Sequence, residues 1–233
     1  LTFALTCFSI SFYDVFCIGL YNVSSSEIGV KWQRAQVIAL AMASINFIWF
    51  VSDYTKQTSK KWVKVLSVCY AVAGLIILTD RGELTYSFQP AIKKISLLFG
   101  LEVTYFEMVP GPITDITSLL GILIFGYSLL ASIRLYKSGE ERKAIPLFAA
   151  IVVIFIGVFN DTAVASGFFQ FVYLIEYAFF ALVFVMAYSL STEIVRSLEY
   201  REALQKSEER YRFITENVAD VIYTTDLKFR FTY

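Results

Sequence analysis

Three carboxylates sit inside long apolar runs of this 233-residue chain: Asp14, Asp161 and Glu176. An ionisable side chain at the centre of a bilayer costs roughly 2.5–3.5 kcal/mol on insertion scales, so each is a candidate for a function that repays the cost. Two kinds of chemistry suit them. One is a pocket for a small molecule or an ion. The other is a protonated, hydrogen-bonded role in packing one helix on another through Tyr, Thr or Asn partners. Asn160 stands beside Asp161, while Trp32 and Gln36, four residues apart on one helix face, add aromatic and polar lining. Asp14, Trp32, Gln36, Asn160, Asp161 and Glu176 together form the candidate ligand site, with both readings open.

Composition removes other chemistry. Histidine is absent, which takes imidazole bases, His-ligated zinc or haem and a phospho-accepting histidine out of this stretch of chain. No Lys lies near the middle of an apolar run, as a retinal Schiff base requires. Cys7, Cys17 and Cys69 all lie in apolar runs and read as small packing residues; Cys7 and Cys17, on one helix, stand about 15 Å apart, too far to bridge. Gly19, Gly74, Gly121, Gly126 and Gly157 are scattered singly and no internal repeat is visible, against a secondary transporter. Asn22-Val23-Ser24 fits a glycosylation acceptor by chance alone. No metal and no cofactor is expected in this segment.

The elements that must hold the candidate residues are membrane helices. The chain is 57% hydrophobic against roughly 45–50% for a soluble domain, and 17% charged against roughly 25%. Twenty basic residues balance twenty acidic ones, which gives no footprint for nucleic acid. Six stretches approach the roughly 20 apolar residues a spanning helix needs: about 1–21, 33–52, 62–79, 114–136, 145–164 and 168–190. The first begins at Leu1 with no initiator Met and no signal-peptide flank, so the expectation is a segment of a longer protein, with one or more helices ahead of it.

Basic residues orient the bundle, since cytoplasmic loops are enriched in Lys and Arg. Lys56, Lys60, Lys61 and Lys64 mark the connection after the second span as inside. Arg134, Lys137, Arg142 and Lys143 do the same after the fourth, and the last span also ends inside, ahead of Arg196 and Arg201. Counted from the outer ends, Asp14, Asp161 and Glu176 then lie about 10, 5 and 12 Å deep, which leaves simple solvation at the interface as a further reading for Asp161. All three fall in the outer half, as in a cavity opening to the extracytoplasmic side.

Above that cavity the connection 80–113 carries strand patterning. Two β-rich runs flank Phe99-Gly100-Leu101, the second alternating from Glu102 to Glu107, and Val109-Pro110-Gly111-Pro112 closes them. This predicts a small extracytoplasmic β-hairpin acting as a lid, the alternative being an irregular loop on the membrane interface with its Tyr and Phe at headgroup level. After Leu190 the chain turns charged. Residues 192–233 hold fifteen of the forty charges, and 191–210, free of Gly and Pro, predict a cytoplasmic signalling helix. Leu190, Ile194, Leu198 and Leu204 give it a loose heptad-like stripe, short of the three or four heptads that specify a coiled coil.

The last stretch, SEERYRFITENVADVIYTTDLKFRFTY, resembles the opening of a PAS domain: a helix of the form S-E-x-R-Y-R, a short helix around Phe213 to Asn217, a first strand at Val221 to Thr225, a turn at Asp226, and a second strand at Phe229 to Tyr233. Residues 1–190 are similar to the multi-helix, often seven-helix, sensor region ahead of PAS domains in bacterial sensor histidine kinases. The likeness rests on Leu20-Tyr21-Asn22, Trp32-Gln33-Arg34-Ala35-Gln36, Trp49 to Thr55, and Val103-Thr104-Tyr105 with Pro110-Gly111. The fold class expected is an all-α polytopic transmembrane bundle, with six helices visible and a seventh ahead of them, carrying the hairpin and the 191–210 linker into a truncated PAS domain from 211.

The resemblance implies an inner-membrane signal-input module that relays a stimulus through the last helix to a downstream kinase. It also implies a homodimer, a response regulator as partner, and ATP with Mg for the kinase part beyond this segment. A diguanylate cyclase output, and a channel or transporter with a regulatory PAS domain, are the alternatives.

Overall fold

The computed structural model describes residues 1–80, 84–96, 100, 102–165, 168–169 and 171–217. Among them are six helices long and apolar enough to cross a membrane: α1 (Thr2–Tyr21), α2 (Ser26–Thr55), α3 (Lys60–Thr79), α4 (Pro112–Lys137), α5 (Glu141–Ala165) and α6 (Ile175–Asn217). Close contacts divide the chain into Leu1–Ala187, the membrane bundle, and Tyr188–Tyr233.

The bundle has the burial expected of lipid-solvated helices. α3 turns Trp62, Val65, Val68, Val72, Leu75 and Leu78 outward, all at least half exposed, where a soluble protein would place charge. α2 is the most enclosed span. Its buried Ala39, Ala41, Ala43 and Ser44 let neighbouring backbones approach closely, which is how membrane helices gain packing energy when the solvent is itself apolar. Polar ties supplement this: the Trp49 indole N–H donates to Ser67 Oγ at 3.0 Å, and Ser132 Oγ donates to the Ala144 carbonyl at 2.9 Å.

At 30 residues α2 is about 45 Å long, well beyond the roughly 30 Å of a hydrocarbon core. The surplus lies at its start, where Ser26–Trp32 underpins two strands, β1 (Tyr86–Ser96) and β2 (Glu102–Pro110). These pair antiparallel with Ile92 opposite Phe106 and Lys94 opposite Thr104. The register slips between Ser87 and Ala91, a stretch containing Pro90, which has no N–H to give the ladder. The turn expected around Phe99-Gly100-Leu101 lies outside the described residues except for Gly100. The roots of the strands are tied to the bundle. Asp80, which ends α3, accepts from the Thr85 N–H and hydroxyl at 2.8 and 2.7 Å, and the Gly111 N–H ahead of α4 donates to the Thr85 carbonyl at 2.9 Å.

Both boundaries of α6 differ from the sequence expectation. α6 starts at Ile175, and Phe168, Phe169 and 171–174 are not helical. The expected uninterrupted helix from Phe168 is therefore corrected: the stretch is apolar enough to be a span, but α5 draws it into a bend. At the other end α6 runs through Asn217, so Phe213 to Asn217 continues the helix instead of forming a separate short one. Nothing between Ser207 and Asn217 breaks it, and the Arg212–Glu216 pair at 2.8 Å, four residues apart, supports the last turns. In this second unit Ile194, Leu198 and Leu204 of the heptad-like stripe are exposed. The strands expected from Val221 onward lie outside the described residues.

Candidate functional site

Glu176 marks how the start of α6 reorganises the site. It occupies the first turn of the helix, where the free backbone N–H groups favour a carboxylate, so the expected position some 12 Å down the span is corrected to the helix tip. What fixes that tip is Asp161 on α5. Its Oδ1 accepts from the Leu174 N–H at 2.6 Å and from Asn160 Nδ2 at 2.9 Å, and its Oδ2 accepts from the Ile175 N–H at 3.2 Å. Asn160 Nδ2 also donates to the Val172 carbonyl at 3.0 Å. Asn160 and Asp161 thus act as an N-cap supplied from a neighbouring helix, satisfying donors that membrane hydrocarbon would leave stranded.

Gln36 and Glu176 meet through a residue that no sequence pattern singles out. Gln36 Nε2 donates to Cys17 Sγ at 3.0 Å, and the Cys17 thiol, 2% exposed, lies close to the Glu176 carboxylate and the Tyr13 hydroxyl. The Tyr105 hydroxyl of β2 lies near Gln36 as well. One amide and one thiol therefore connect α1, α2, α6 and the strand. Tyr13 and Cys17 share a face at a spacing of four, but no local pattern announces a partner nineteen residues away.

Trp32 faces α1 as well, in a packing role. Its ring covers Gly19 so closely that a Cβ there would fall 2.5 Å from it, and it lies 6.0 Å from the Phe16 ring. Asp14 is half-buried, with an enclosed Oδ1 that has no hydrogen-bond partner among the described residues. The six expected residues thus divide: Gln36 and Glu176 converge on Cys17, Asn160 and Asp161 hold the α6 tip, Trp32 packs, and Asp14 lies close enough to Glu176 for their charges to interact.

β2 closes this end of the bundle. Phe106, 1% exposed, presses on the backbone of α2 where Gly29 leaves room; a Cβ there would fall 2.6 Å from the ring. The Met108 N–H donates to Gln33 Oε1 at 3.0 Å, and Thr104 Oγ1 donates to the Tyr21 carbonyl at 3.3 Å. Tyr105 packs between the tilted rings of Tyr21 and Tyr173, with centroids at 4.9 and 4.6 Å, and the Tyr173 hydroxyl donates to Glu107 Oε1 at 3.0 Å. Burial pushes the Tyr105 and Tyr173 phenols above their ordinary range, and Glu107 beside Tyr173 adds to the shift there.

Next to the cluster lies a cavity of about 270 Å³. Tyr13 joins the two, since it reaches Cys17 and also lines the cavity wall. Of the six expected residues only Asp161 lines it. Among the described residues no three or more His, Cys, Asp or Glu side chains gather as metal ligands would.

No family model, no curated protein and no solved structure matches this chain.

Proposed function

We propose that the chain is the membrane-embedded signal-input module of a sensor histidine kinase. In this reading the strand-bearing end is extracytoplasmic, with β1 and β2 forming a hairpin lid over the site. α6 carries the signal to the cytoplasmic side, where residues 211–233 begin a PAS domain in a homodimer that phosphorylates a response regulator. The observation that carries the reading is α6: its first turn holds Glu176 in the polar cluster, and the helix runs on to Asn217, passing from an apolar to a charged, exposed sequence. A helix built that way is suited to passing on a rotation or a slide. The basic residues near Lys60 and Lys137, at the end away from the strands, support the orientation, and the S-E-x-R-Y-R stretch supports the PAS assignment.

The test is a phase experiment in the intact protein. Inserting seven residues after Leu198 returns the residues beyond it to within about 20° of their original face, whereas inserting five turns them by about 140°. Phosphorylation output is expected to survive the seven-residue insertion and to be locked high or low by the five-residue one. Equal output from both insertions would overturn the relay.

A further inference from the structure

The cavity beside Tyr13 has a polar end and an aromatic end. Asp161, Thr162 and Ser118 line it at the level where α6 begins, and Phe125 and Phe155 line it deeper in the bundle. Asp161 and Phe155 are six residues apart on α5, and Ser118 and Phe125 seven apart on α4, so the polar and aromatic ends are separated by about 10 Å. Within that length the cavity, open along one side, has a volume of about 270 Å³. A 150 Å³ apolar cavity is known to hold benzene, so this one has room for two fused rings with a short substituent.

Access is from the side. Ser118, Ile122 and Thr162 line the cavity and are exposed on the flank of α4 and α5, among residues of transmembrane character, so the opening faces the bilayer. At the polar end, three of the roughly four acceptor positions of the Asp161 carboxylate are filled by Asn160, Leu174 and Ile175. One acceptor position, on Oδ2, is left over by these three bonds. Among the described residues no Lys or Arg lines the cavity, so they set no cation against this carboxylate there. A site of this kind, mostly apolar with a few convergent polar groups, is the usual form of a small-molecule pocket.

We propose that the cavity binds a membrane-partitioned amphipathic amine: a flat apolar body lies among Phe125, Phe155 and Phe179, and a protonated amino group donates to Asp161. As the stimulus site of the input module the assignment rests on the reading above; as a binding site it rests on the cavity alone. The ligand would act by bonding to the carboxylate that holds the α6 tip, and it would shift signalling only as far as it binds two settings of that tip unequally.

The test uses the full chain in vesicles of neutral phosphatidylcholine and three probes of one skeleton: naphthylmethylamine, naphthylmethanol and methylnaphthalene. Saturable binding is expected for the amine, about tenfold tighter than for the alcohol, as one charge-assisted hydrogen bond provides. Ile122→Trp and Ser118→Phe, both at exposed positions on the flank, are expected to block it, and Asp161→Asn to erase the preference for the amine. Equal, non-saturable uptake of all three probes, unchanged by both flank variants, would overturn the site while leaving the α6 relay to its own insertion test. Saturable amine binding that leaves the output of the intact protein unchanged would retain the site and overturn its role as the stimulus site.

Discussion

Phe106 and Gly29 offer a paired perturbation whose sign can be worked out in advance. Truncating Phe106 to Ala removes a ring that is 1% exposed and leaves a void against bare helix backbone, because Gly29 has no side chain to fall into it. Phe→Ala changes in cores cost about 3–5 kcal/mol, and the strand cannot collapse freely here because the Met108–Gln33 bond at 3.0 Å holds it out. Gly29→Ala in the native background places a Cβ 2.6 Å from that ring, which must move; overpacking of this kind costs about 1–3 kcal/mol, partly offset by about 1 kcal/mol from the better helix propensity of Ala. In the Phe106→Ala background the clash is gone and the propensity gain remains. Gly29→Ala should therefore change from neutral or destabilising to stabilising by about 1 kcal/mol, a coupling of about 1–3 kcal/mol. Unfolding of the full chain in detergent, tracked by Trp fluorescence, measures all four corners of the cycle, and hydrogen exchange of the β2 amides reports whether the strand itself has loosened. Effects of Gly29→Ala that agree in the two backgrounds to within about 0.5 kcal/mol would refute the contact.

Two further outcomes are expected of the cluster. Cys17→Val removes the sulfur that Gln36 donates to at 3.0 Å and leaves a buried amide proton stranded, costing about 1–3 kcal/mol, while Cys17→Ser keeps an acceptor and should cost less; thermal melts that rank Val at or above Ser would show that the thiol only fills space. The buried phenols Tyr86, Tyr105 and Tyr173 hold their protons more tightly folded than unfolded, so their contribution is complete below the ordinary tyrosine value near pH 10 and is lost as pH rises above it, by up to about 1.4 kcal/mol per pH unit for each phenol. A stability profile that stays flat through that range, with every tyrosine ionising normally by ultraviolet absorbance, would contradict their burial under the strands.

How much can be read in the sequence depends on the strength of each physical constraint. A single segment that spans lipid without partners must be a long apolar helix, so hydropathy places six spans without any knowledge of their packing. The alternation from Glu102 onward announces β2, but not that Tyr105 and Phe106 are both buried, since that needs helix tips on one side and an aromatic cluster on the other. Hydropathy misplaces the start of α6 because Phe168–Leu174 is as apolar as the helix after it. It scores transfer into lipid and cannot tell a helix from an apolar bend, and the deciding group, Asp161, belongs to another helix. Cys17 is invisible for a similar reason. A lone thiol in an apolar run packs as a small hydrophobe, and it becomes a junction only when Gln36 and Glu176 arrive from elsewhere in the chain.

The corrected position of Glu176 also changes where force can enter α6. A carboxylate in mid-span would be moved only by a rearrangement of packed helices, each step opposed by many contacts. At the tip, the connection to the strands is short: Glu107 of β2 holds the Tyr173 hydroxyl at 3.0 Å, Tyr105 packs on the same ring at 4.6 Å, and Ile175 opens the helix two residues later. A displacement of β2 would therefore pull on the segment that Asp161 caps. Exchanging one N-cap bond is worth about 0.5–2 kcal/mol, the same range as a typical coupling energy between two sites. Under the proposed function a stimulus needs to favour one setting of that tip by only this amount, and a helix continuous from Glu176 to Asn217 needs no further joint to pass the difference on.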